Sequence, residues 1–218
     1  MSWMREAMSF FVALERDNSR EHWQANRAPY DAELRPAFLR LVEAVPGWGP
    51  WRIYRPHNDT RFGGAPYKTF LGAVTERTDG VGAFVQVGLR GLLLGTGVPM
   101  PAPDQLARLR AALVDAASGP DFVAAVAQVS TTGARVHGGR YPPLARVPRG
   151  FPADSPRGEY LRWKGVEVSQ LPDVDDPSGP WVGERLAVGE PLHRWLAQHV
   201  GASALTAEER FAPRRTAR

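Results

Sequence analysis

The sequence predicts an α+β fold: a single domain in which N-terminal helices pack on a central, mostly antiparallel sheet. Apolar residues recur at helical spacing near both ends of the chain. Short apolar runs punctuated by glycine and proline fill the middle, and one pair of them is spaced as a hairpin. Helices before and after a strand-rich centre point to segregated α and β elements. A length of 218 residues suits one domain, and 43% hydrophobic residues with seven tryptophans supply its core. The domain is expected over 1–206, followed by a basic, disordered tail over 207–218.

Taken in order, Trp3, Ala7, Phe10, Phe11 and Leu14 place a helix over 3–16. Asn18 and Glu21 read as a capping pair for a second helix striped by Trp23, Tyr30, Leu34, Phe38, Leu41 and Val45. Trp23 and Tyr30 on that stripe are read as core residues. Pro29 breaks or kinks this helix, or opens a new one. Trp51–Arg55 and Thr69–Thr75 read as strands, and Ala83–Val87 with Gly91–Gly95 as a hairpin. A proline-rich connector follows, then a helix capped by Asp104 and another over Asp121–Val129. Beyond 130, loops alternate with short strands. Helices are expected at Ser155–Lys164 and Glu190–Val200, with a loop over Leu171–Trp181.

Composition excludes several functions. The chain has no cysteine, hence no disulfide, thiolate ligand or cysteine nucleophile, which fits a reducing cytoplasm. Arg5 and Glu6 interrupt the apolar pattern that a signal peptide would need. No apolar run approaches the roughly 18 residues of a membrane span. The net charge is +4, and Arg210, Arg214, Arg215 and Arg218 carry all of it, so residues 1–209 are formally neutral. That counts against a general nucleic-acid surface and leaves a local patch open.

The stretch Asp59–Leu71 (DTRFGGAPYKTFL) concentrates chemistry. It holds Asp59, Arg61, Phe62, Tyr67 and Lys68 around a Gly-Gly-Ala-Pro turn, with Arg55 and His57 just before it. Lys68 and Lys164 are the only lysines among 27 basic residues, and Asn18, Asn26 and Asn58 the only asparagines. A compact ammonium is not equivalent to a guanidinium fork, so a retained lysine marks a position to weigh.

One reading is a site for a small anionic ligand bearing phosphate or carboxylate. Arg20, Arg55, Arg61 and Tyr67 would bind it, and Asp59 and Lys68 would be the catalytic candidates if the protein is an enzyme. The other is a structural clasp in which Asp59 pairs with an arginine while Phe62 and Tyr67 pack in the core. A third possibility is a non-enzymatic interaction protein, its basic tail steering a protein or nucleic-acid partner.

The motifs Asn18-x-Arg20-x-x-Trp23, Asp59-x-Arg61-Phe62, Pro66-Tyr67-Lys68-Thr69, Gly95-x-Gly97, Pro148-Arg149-Gly150-Phe151 and Leu161-Arg162-x-Lys164 resemble the DUF2461 family, a bacterial and fungal group. The resemblance covers about 8–200. It implies the same fold and the same choice of site, and it supplies no activity. The family pattern places a lysine-bearing insert between the RF and PYK motifs and often His-Pro near 156. This chain has Gly63-Gly64-Ala65 and Ser155-Pro156.

Other motifs fail their tests. Gly95-Thr96-Gly97 is followed by Met100 where a dinucleotide fingerprint needs glycine. No P-loop or nucleophile elbow occurs. No histidine pair has zinc-helix spacing, and Asp173, Asp175 and Asp176 read as a solvated acidic loop, so no metal or other cofactor is expected.

Overall fold

The computed structural model describes residues 2–61 and 63–211. Its N-terminal helices and six-stranded, mostly antiparallel sheet give the α+β class that the sequence predicts. The strand order is β1-β2-β3-β4-β6-β5, with β1 Arg52–Ile53, β2 Phe70–Glu76, β3 Gly82–Gly88, β4 Gly91–Val98, β5 Arg135–His137 and β6 Val166–Gln170. Strand β1 pairs antiparallel with β2, Arg52 opposite Val74 and Ile53 opposite Ala73. The described residues cluster into two compact units, one within 1–76, 83–95 and 169–187, the other within 77–82, 96–168 and 188–218.

In the first unit, α1 (Trp3–Arg16) buries Met4, Ala7, Phe11 and Leu14 on one face, as its apolar spacing dictates. Helix α2 (Arg20–Pro29) is capped by Ser19, whose hydroxyl accepts from the His22 N–H at 3.1 Å. Asn18 is therefore not the cap; its side chain is engaged elsewhere. Pro29 does not end the helix. The chain passes through a π-helical turn, Tyr30–Leu34, into α3 (Arg35–Glu43). Pro29 lacks the N–H that an α-turn would give to the Ala25 carbonyl, but its φ of -63° is helical, so the chain continues through it. The stripe from Trp23 to Val45 is buried with Leu71, Val85, Leu92 and Leu94 in one core. Helix α7 (Gly179–Ala187), which the sequence pattern did not reveal, adds Val182 and Leu186 to it.

In the second unit, α4 (Pro103–Val114), α5 (Ser118–Ser130) and α8 (Glu190–His199) bury Leu109, Leu113, Phe122, Leu192 and Trp195. Asp104 sits inside the first turn of α4. The Gln105 side chain accepts from the Ala102 N–H at 3.0 Å, the place where Asp104 was expected to cap. The helix expected over Ser155–Lys164 shortens to α6 (Gly158–Leu161), and Ala207–Phe211 forms α9 where the tail was expected to begin. The remaining tail residues, 212–218, lie outside the described ones. Among the described residues, no helix is long and apolar enough to cross a membrane.

Candidate functional site

The stretch between β1 and β2 closes on itself. His57 and Tyr67 form an isolated antiparallel bridge. On either side of it, the Asn58 N–H donates to the Pro66 carbonyl at 2.8 Å, and the Lys68 N–H to that of Pro56 at 2.7 Å. The Asn58 Nδ2 donates to the Ala65 carbonyl at 2.8 Å. Residues 59–65 are thus a small loop pinned at its base. Gly63 and Gly64 have φ of 84° and 98°, left-handed backbone that a side chain would strain, and nothing crowds either Cα.

Beneath the loop, Tyr67 is 5% exposed and stacks on Trp23 at 4.6 Å with rings 15° apart. The Asn18 amide spans the Tyr67 backbone: Oδ1 accepts from the Tyr67 N–H at 2.8 Å, and Nδ2 donates to its carbonyl at 3.1 Å and to that of Leu14 at 3.3 Å. Asn18 therefore continues the pairing of Tyr67 as a strand would. Tyr67, expected among the ligand-binding residues, is buried by this packing and anchors the loop.

Asp59 and Arg61 form a forked pair, with Arg61 Nε at 2.9 Å and 3.1 Å from the two carboxylate oxygens and Nη2 at 2.5 Å from Oδ2. Hydrogen bonds from the Arg61 side chain and backbone hold the Asp59 carboxyl below its usual range. Both residues are exposed, so the pair fixes the shape of the loop with little net energy. Lys68 is half-buried and donates to the His57 carbonyl at 2.5 Å. Burial, and then the charge of Arg55, lower its ammonium below the ordinary lysine value. Arg55 and His57 are exposed beside it.

The structure thus places Arg55, His57 and Lys68 at the base of the loop that carries the Asp59–Arg61 pair. Arg20 is exposed on the first turn of α2, and no hydrogen bond or ion pair among the described residues ties it to the loop. Phe62 lies outside the described residues. Asp175, from the acidic loop, pairs with Arg5. Among the described residues, no three His, Asp or Glu side chains converge as metal ligands would. A shallow depression of about 580 Å³ lies in the second unit, lined by Arg108, Asp115, Ser118, Asp121 and His199 among others, and none of the candidate site residues lines it.

Asn18 and Asn58 were the side chains whose roles sequence reasoning missed. The scarcity of asparagine and its confinement to the first 60 residues was the available signal. Compared with known families, residues 6–186 match the family model described as "Conserved hypothetical protein (DUF2461)". No curated protein and no solved structure matches the chain.

Proposed function

The chain belongs to the DUF2461 family, and from that premise we propose that it binds a small anion, bearing phosphate or carboxylate, at the base of the 59–65 loop. One observation carries this reading. The Lys68 N–H bond to the Pro56 carbonyl sets Lys68 beside the segment that carries Arg55. Burial first and the Arg55 charge second lower its ammonium, and no described ion pair engages either cation, although Arg55 also acts on the Asp59 carboxylate. Two like charges held together are repaid by an anion that both can reach. Arg61 is already engaged by Asp59, so its part is to shape the loop and that of Asp59 is to orient it. Arg55 and Lys68 are the binding groups, and His57 borders them. No reaction follows from this arrangement.

The test is thermal denaturation at low salt with inorganic phosphate, nucleotides, sugar phosphates and carboxylates. A ligand selective for the native state adds about 2.7 kcal/mol at a hundredfold excess over its Kd. The expected result is a dose-dependent rise in Tm that Lys68→Ala and Arg55→Gln each abolish. The sign of the pH dependence follows from the lowered Lys68 value. The ammonium is present below that value and lost above it, so affinity should fall at a lower pH than for an ordinary lysine, and Lys68→Arg should remove the fall. A flat panel, or a rise unchanged in both neutralising variants, refutes the reading.

A further inference from the structure

We infer that the excursion over 138–165, in the second unit, is a binding surface for single-stranded nucleic acid. Residues 138–165 carry six cationic side chains against two carboxylates, Asp154 and Glu159, although residues 1–209 as a whole are formally neutral. Arg140, Arg146 and Arg149 are exposed, and the described ion pairs engage none of them, nor Arg135, Arg162 or Lys164. Arg157 alone turns inward, donating to the carbonyls of Leu113, Val114 and Asp115. Glu167, at the root, faces His137 at 3.4 Å instead of the arginines.

The excursion is folded back on itself. The Arg140 N–H donates to the Pro99 carbonyl at 3.2 Å and the Leu144 N–H to that of Arg162 at 2.8 Å, while Phe151, Ser155 and Gly158 close successive turns. Its charges therefore sit on a fixed backbone. The Arg140–Pro99 bond also brings two side chains into one neighbourhood, Tyr141 and Met100, each 52% exposed.

Those features select among polyanions. Duplex DNA is read by a helix or a β-ribbon in the major groove, and the only helix here is the four-residue Gly158–Leu161. A membrane surface calls for a broad apolar face opposite the charges, and this segment exposes mainly one tyrosine. An irregular basic surface with an exposed aromatic ring fits unstacked bases, whose phosphates meet the arginines while a base stacks on the ring.

The experiment is fluorescence anisotropy of labelled oligo-dT and oligo-U of about twenty nucleotides with the full chain. Salt is varied from about 50 to 200 mM, and a duplex of equal length and phosphatidylserine vesicles serve as competing partners. The expected result is single-strand binding that weakens with salt and exceeds that of duplex or vesicles. Tyr141→Ala should weaken it about tenfold, as loss of one stacked base does, with the salt slope retained. Arg146→Gln with Arg149→Gln should reduce the slope by about 1.4, at roughly 0.7 per phosphate contact. Absence of binding at low salt, or tighter binding to duplex or vesicles, overturns the inference. So does single-strand binding that neither variant changes, which would assign it to other arginines such as those at the C-terminus. The altered side chains are exposed, and unchanged melting of each variant confirms that fold is not the cause.

Discussion

Asn18 shows how much one side chain can hold. Its amide satisfies both backbone groups of Tyr67 and the last free carbonyl region of α1 at Leu14. Replacing it with alanine strands a donor and two acceptors in a part-buried place, and an unsatisfied buried group costs about 1–3 kcal/mol. Asn18→Ala should therefore lower the unfolding free energy by roughly that amount in urea titrations. Asn26 is the control, since its Nδ2 donates only to the His22 carbonyl of its own helix, and Asn26→Ala should cost about 0.5 kcal/mol or less. Equal losses in the two variants would refute the clamp. The importance of Asn18 was partly legible, because asparagine is rare here. Its role was not. Asn18-x-x-Glu21 imitates a capping box, and a partner 49 positions away leaves no local pattern. Arg61 and Asp59 were legible as a pair because they are two residues apart on one turn.

Elements were readable where period and punctuation agreed. Helices α1, α4 and α8 follow their apolar stripes, and the β3–β4 hairpin lies where alternation and Gly88–Gly91 put it. The boundaries went astray where glycine served packing instead of a turn. Gly95-Thr96-Gly97 reads as the exit of a strand, yet β4 continues to Val98. A Cβ at Gly95 would land on the ring of Phe84, so this glycine is there to admit an aromatic side chain from β3. Gly95→Ala should then destabilise the protein by about 1–3 kcal/mol through overpacking. Because the two positions share one space, Phe84→Ala should relieve much of the penalty, and a double-mutant cycle read by urea denaturation should give a coupling of about 0.5–3 kcal/mol. Additive losses would show that glycine is kept at 95 for another reason. Helix α7 was missed for the opposite cause: Gly179-Pro180 and Gly183 weaken its helical signal, while Gly179 packs on Ala44 and Gly183 on Pro46.

At the scale of the molecule, the class was legible and the threading was not. Each compact unit draws on three separate stretches of chain, and no shift of composition marks where one stretch ends. The second unit also holds two groups that contribute to the response of stability to acid. His193 is 1% exposed, with Nε2 2.7 Å from the Thr96 hydroxyl and Nδ1 3.4 Å from a Glu190 oxygen, and the Arg77–Asp79 pair faces it. Burial pushes its imidazole below the ordinary 6.5, and Glu190 only partly opposes this. The unfolded chain therefore takes up a proton that the folded chain declines, and stability falls as pH drops through about 6.5. Asp104 acts lower. Burial would raise its carboxyl, but hydrogen bonds from the Ala204 N–H, the Ser203 hydroxyl and Arg108 prevail and hold it at about 2. The stability it contributes is complete above its ordinary 3.8 and is lost as pH falls toward 2. Urea midpoints followed from neutral pH into acid should thus descend in two steps. His193→Gln should flatten the upper step and spare the lower, and Asp104→Asn should diminish the lower step, which Asp115 and other hydrogen-bonded carboxylates share, and spare the upper. An upper step that survives intact in His193→Gln would mean that another group takes up that proton and that the buried imidazole is indifferent to it.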